Sequence, residues 1–146
     1  MARVHLEIPQ SIIFTTELTV RVADINYGGH VGNDTMLSLL QEARTQLYRS
    51  LGYTNELSFE GTVGQVIADA ALMYKAEAFL GNTLLIQIAL GEFTRFGFDL
   101  YYQVIRKEDD KEIARGKTAV VCFDYEKRKP VRVPASLTEK LESLLG

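Results

Sequence analysis

Between Ile12 and Val22 apolar and polar residues alternate. Ile12, Phe14, Leu18, Val20 and Val22 share one parity, and Thr15, Glu17, Thr19 and Arg21 share the other. A period of two predicts a half-buried strand. Carried past Val22, the same pleat turns Asp24 and Asn26 toward the buried side, where a polar group needs a partner or a task. The period then changes. Met36, Leu40, Ala43, Leu47 and Leu51 recur at helical spacing with Leu39 beside them, which predicts a long helix with a wide apolar face. Asn33 or Asp34 is expected to cap its start, and Gly52 to mark its end.

Strand patterns follow. Val63 to Ala76 is a long candidate, with a turn at Gly81-Asn82. Thr83 to Phe93 carries Leu84, Ile86, Ile88 and Leu90 on one face, and Phe96, Phe98, Leu100, Tyr102 and Val104 repeat the alternation. The charged run Arg106 to Glu112 reads as a hairpin turn before a last strand, Ile113 to Asp124. In that strand Ala114, Gly116 and Thr118 form a face of small side chains that a helix could approach closely. Lys127 to Pro134 reads as a polar turn and Ala135 to Leu145 as a short terminal helix. One long helix with hairpin-linked strands is an α+β layer arrangement. The open edges of such a sheet favour pairing with a second copy.

Composition narrows the function classes. A chain of 146 residues, 47% hydrophobic and 24% charged, fits a single globular domain. A net charge of -3 without a basic block argues against nucleic acid as a partner. Asp69, Gln87 and Asp99 interrupt the apolar segments before they could cross a bilayer, so no membrane partner is expected. Met1 to Gln10 has no apolar signal core, and Cys122 has no second cysteine to pair with; the cytoplasm is the expected compartment. Cys122 itself, between Val121 and Phe123, reads as a buried inert thiol.

The candidate chemistry lies in Asp24-Ile25-Asn26-Tyr27-Gly28-Gly29-His30-Val31-Gly32-Asn33, where a strand ends, paired glycines permit a turn, and a helix begins. Three blocks, Val20-Arg21-Val22, Gly29-His30-Val31-Gly32-Asn33 and Gln41-Glu42-Ala43-Arg44, resemble the hotdog-fold thioesterases of the 4-hydroxybenzoyl-CoA and long-chain acyl-CoA type. Tyr74-Lys75, Ala114-Arg115-Gly116-Lys117-Thr118 and Pro130 to Pro134 follow in the family's order. The resemblance covers nearly the whole chain. It implies one hotdog domain over residues 1–146, an antiparallel sheet of five or six strands wrapped around one long helix. It also implies a homodimer or homotetramer and hydrolysis of an acyl thioester of coenzyme A or an acyl carrier protein. Neither a metal nor a redox cofactor is implied; coenzyme A enters only as part of the substrate. Many relatives read Asp-x-Asp-x-x-Gly-His-Val-Asn-Asn, with the second aspartate as base or nucleophile. This chain has Asn26 there, and Gly32 where an asparagine is frequent.

The expected site follows from what a thioester needs: an activated water, a polarised carbonyl and a leaving thiolate. Free amides at the helix start carry partial positive charge, and the Asn33 amide is the candidate for holding the oxygen, with Gly29, Val31 and Gly32 against the substrate. Asn26 cannot take a proton, but it can orient a water; equally, it can do no more than brace the glycine turn. His30 is of the residue type suited to general-base work near neutral pH, set against a reading as a histidine bonded to nearby backbone. Asp24, swung into the place of the missing aspartate, and Glu42, on the polar flank of the helix, are reserve carboxylates. Glu42 reads first as a solvated glutamate, and Asp69 as either a pocket residue or the partner of a neighbouring strand. Two other functions stay open. Asp24-x-Asn26 with His30 is loosely similar to a hotdog hydratase motif, without its proline and with the histidine one residue late. Loss of the usual aspartate also permits a non-catalytic acyl-thioester binding protein.

Overall fold

The alternation near the N-terminus produces β1, Ile12–Thr19, three residues shorter than its pattern. Local bonding ends it. The Arg21 N–H and guanidinium both reach the Asp24 carboxylate, at 2.8 and 3.1 Å, and close a 3-10 turn over Val22–Asp24. Val22 and Asn26, expected on the buried face, are therefore exposed, whereas Asp24 is buried within the turn itself, paired with Arg21.

The computed structural model describes residues 1–146. After the turn come α1 (Asn33–Ser50), β2 (Val63–Tyr74), β3 (Thr83–Phe93), β4 (Gly97–Arg106), β5 (Lys111–Asp124), β6 (Lys129–Pro130) and α2 (Ala135–Ser143). The six strands form one antiparallel sheet in the order β1-β3-β4-β5-β2, with β6 beside β5. This is the hotdog arrangement. Two details depart from the pattern: Phe96 precedes β4 and is exposed, and the segment read as a polar turn contains the short strand β6.

The core lies between α1 and one face of the sheet. Met36, Leu40, Ala43 and Leu47 pack with Leu84, Ile86, Ile88, Leu100, Tyr102 and Val104 in one buried cluster. The small-residue face of β5 does what its pattern suggested. A Cβ on Gly116 would stand 2.6 Å from Leu40 Cδ1, so a larger residue there would force the Leu40 side chain to repack. Arg44, which the pattern does not single out, is buried under α1, donating to Glu56 at 2.8 Å and to the Tyr102 hydroxyl at 3.2 Å. A buried guanidinium persists only when partnered in this way.

Candidate active site

The loop from Asn26 to Gly32 is organised by its own backbone. The Asn26 N–H donates to the His30 carbonyl at 2.9 Å, and the Gly29 N–H donates back to the Asn26 carbonyl at 3.0 Å. This closed turn puts Gly29 at φ +83, a conformation that side chains resist. Gly28 is different: its backbone is ordinary, and what it provides is room. A Cβ there would lie 3.2 Å from Asn26 Oδ1 and 3.5 Å from His30 Nε2, so the two side chains stand against the same glycine. Asn26 Oδ1 accepts the Gly28 N–H at 2.9 Å, which is the turn-bracing role, and leaves the carboxamide N–H groups free on an exposed side chain. His30 Nδ1 lies 3.1 Å from the Val31 carbonyl. That contact assigns the ring proton to Nδ1 and leaves Nε2 able to accept.

The helix start is bare. Gly32, not Asn33 or Asp34, occupies the N-cap and no side chain caps it. Asn33 is the first helical residue; its Oδ1 accepts the N–H of Asp34 at 2.9 Å, and its own N–H has no protein acceptor. An unsatisfied N–H at this position carries the partial positive charge of the helix terminus. Tyr74, at the end of β2, donates its hydroxyl to the Asn33 carbonyl at 2.5 Å. Burial, and then the charge of Asp34, raise the Tyr74 phenol above its ordinary value, so the donor proton is retained at neutral pH.

A cavity of about 380 Å³ opens beside this terminus, lined by the polar residues His30, Asn33, Tyr74, Lys75 and Glu77 and by apolar ones including Val31, Met36 and Ile113. Val31 is fixed there by its N–H to the Ala78 carbonyl at 2.9 Å, while Asn26, Gly29 and Gly32 lie outside the lining. The reserve carboxylates are elsewhere. Asp24 and Glu42 line a separate cavity of about 480 Å³ with Glu17 and Arg21. Burial would raise the Asp24 carboxyl, but the bonds from Arg21 outweigh it and hold it below the usual range. Asp24 thus does not swing into the place of Asn26. Glu42 is exposed and accepts from Gln46 Nε2 at 2.9 Å, the solvated-flank arrangement.

Other residues take structural roles. Asp69 pairs with Lys117 on β5 at 2.8 Å, and Cys122 is buried, which pushes its thiol up to about 11. Met36, Tyr74 and Ile113 were not anticipated as lining residues. Tyr74 had a signal: it shares the parity of Leu72, which faces α1, and it stands in the Tyr-Lys pair that matches the family.

Comparison with known proteins agrees with this geometry. The profile of the thioesterase-like superfamily matches residues 20–141. The protein sll0410 of Synechocystis is 28% identical over 131 residues, 88% of this chain and 79% of that one. The acyl-CoA thioesterase YbgC of Haemophilus influenzae is 25% identical over 122 residues, covering 83% of this chain and 88% of its own. Among solved structures, the 1,4-dihydroxy-2-naphthoyl-CoA thioesterase Slr0204 of Synechocystis superposes with a TM-score of 0.82 at 23% identity, over 90% of this chain and 96% of that one. With the hotdog sheet, the glycine turn and the bare helix start all in place, this chain belongs to the thioesterase-like superfamily.

Proposed function

We propose that the protein hydrolyses the acyl thioester of coenzyme A at the cavity beside α1. The observation that carries this reading is the Asn33 N–H, which has no acceptor within the protein and adjoins a cavity with one apolar wall. A thioester carbonyl placed there gains most as its oxygen becomes an oxyanion, so the amide stabilises the transition state more than the substrate. His30 Nε2 orients the attacking water; Asn26, across Gly28 from the ring and outside the cavity lining, braces the turn that holds the histidine. Attack on the carbonyl carbon breaks the C–S bond and yields a free acid and a thiol. The reaction draws on no metal or redox cofactor.

The working unit in this reading is a homodimer, with pairing into a homotetramer as a further step. Its support is β2, which pairs as a strand only with β5; the 56–60 loop covers its other edge at Val63 and Gln65, and beyond that Ile67 and Tyr74 are exposed. An acyl carrier protein is the second candidate carrier of the acyl group. The cytoplasm is the proposed compartment, supported by the lone buried Cys122. No helix is long and apolar enough to cross a membrane.

A panel of acyl-CoA and acyl-carrier thioesters with a thiol-reactive dye tests the reading. Release of free thiol is expected. Loss of enoyl absorbance from crotonyl-CoA without thiol release would instead identify a hydratase, and tight binding with neither signal a binding protein.

A further inference from the structure

The hydrolytic reading, on which this inference rests, needs a group that takes the proton from water. Asp24 and Glu42 face another cavity, and Asn26 lies outside the lining. We propose that Glu77, the one carboxylate lining the cavity beside α1, is that proton acceptor.

Glu77 stands in the link from β2 to β3, and backbone bonds fix that link on both sides. The Val31 N–H donates to the Ala78 carbonyl at 2.9 Å, and His30 bridges Phe79 in antiparallel register. Burial alternates to match: Val31 and Ala78 are turned inward, whereas Glu77 and Phe79 are exposed. Residues two apart on an extended segment share a face, so Glu77 lies on the face of Phe79 and His30, as the diagonal neighbour of the histidine. Such neighbours stand roughly 7–8 Å apart, within reach of a long side chain. On the other side, Arg106 Nη1 donates to the Glu77 carbonyl at 2.8 Å, holding the main chain through its oxygen and leaving the carboxylate alone.

That carboxylate is uncommitted. It makes no ion pair and no hydrogen bond, because the cations around it are paired elsewhere: Arg106 with Asp109, and Lys75, the cavity's own cation, with Glu112, each at 2.7 Å. A base must come within hydrogen-bond reach of a water that is itself near the carbonyl carbon. Here the Asn33 N–H holds the carbonyl oxygen, His30 Nε2 accepts one hydrogen bond from the water, and the Glu77 carboxylate accepts the other.

The step balances. Water gives a proton to the Glu77 carboxylate as its oxygen bonds to the carbonyl carbon, and the carbonyl electron pair moves to the oxygen held by the Asn33 N–H. When the pair returns, the C–S bond breaks and the departing sulfur takes the proton from Glu77. The carboxylate is regenerated with the acid and the thiol released.

The test uses the full chain and an acyl-CoA that the wild type hydrolyses. Glu77→Gln keeps the shape of an exposed side chain that bonds to nothing, so the fold is retained. It is expected to lower kcat roughly 100-fold or more while KM stays within about threefold. Glu77→Ala is expected to be as slow, and to regain about tenfold or more of the lost rate in added formate, a small carboxylate that fits the vacated space. Glu77→Gln turnover within about twofold of wild type overturns the proposal. So does a rise in KM with kcat unchanged, which makes Glu77 a substrate contact, or a slow Glu77→Ala that formate leaves as it was. If the wild type releases no thiol from any acyl thioester, hydrolysis itself falls and Glu77 with it, a result distinct from an active wild type matched by Glu77→Gln.

Discussion

The Tyr74 hydroxyl donates to the carbonyl of Asn33 across 41 residues of chain, at 2.5 Å, joining the end of β2 to the first residue of α1. The bond anchors the peptide that follows Asn33, and so ties to β2 the first turn of the helix that carries the free N–H. Tyr74→Phe keeps the ring and removes the donor. It is expected to lower kcat about tenfold with KM nearly unchanged, and to cost about 1 kcal/mol of stability, the net value of one such bond. Steady-state kinetics beside urea unfolding check both. A rise in KM alone would make Tyr74 a substrate contact instead.

His30 lines the same cavity with Nε2 left to accept. His30→Ala is expected to lower kcat about 100-fold, the low end of what a positioned proton-handling group contributes. Turnover of acyl-CoA at the wild-type rate would remove the ring from the mechanism.

Acid should loosen the wall behind the cavity. Glu112 is largely buried, which alone would raise its carboxyl, but bonds from Arg115, Lys75 and Gln103 hold it down to about 2 against an ordinary value of 4.5. A carboxyl depressed on folding contributes stability that is present above its unfolded value and lost as pH falls through its folded one. The midpoint temperature is therefore expected to drop between pH 4.5 and 2. Glu112→Gln should be less stable at neutral pH and show a shallower acid dependence, measured by thermal unfolding across that range.

Gly116 sets the distance between α1 and the sheet. A Cβ there would meet Leu40 Cδ1 at 2.6 Å and Leu72 Cδ2 at 3.2 Å. Gly116→Ala is expected to destabilise by about 1–3 kcal/mol through overpacking, read as a lower urea midpoint with unchanged slope.

Much of this was legible in the chain because period and packing coincide. Leu84, Ile86 and Ile88, and Leu100, Tyr102 and Val104, alternate without interruption and are fully buried, and Met36 to Leu47 holds a helical period over about three turns. The free Asn33 amide was also anticipated, because a helix start leaves such groups wherever no side chain caps them. Other features are set by space, which periodicity does not encode. The close of β1 depends on Arg21 finding Asp24, and Arg44 is buried only because Glu56 and Tyr102 meet it from distant segments.

If the N–H of Asn33 holds the thioester oxygen, a residue without that N–H must lose turnover, and proline is such a residue. Proline is at home in the first position of a helix, and the extended backbone of Gly32, φ -67 and ψ 151, suits the residue before it. Asn33→Pro therefore deletes the N–H while keeping the helix, and Asn33→Ala deletes the side chain while keeping the N–H. With the same acyl-CoA, Asn33→Pro is expected to lose turnover by roughly 100-fold or more, and Asn33→Ala to stay within about fivefold of wild type. Equal rates in the two variants, or full activity with proline in place, would contradict the account.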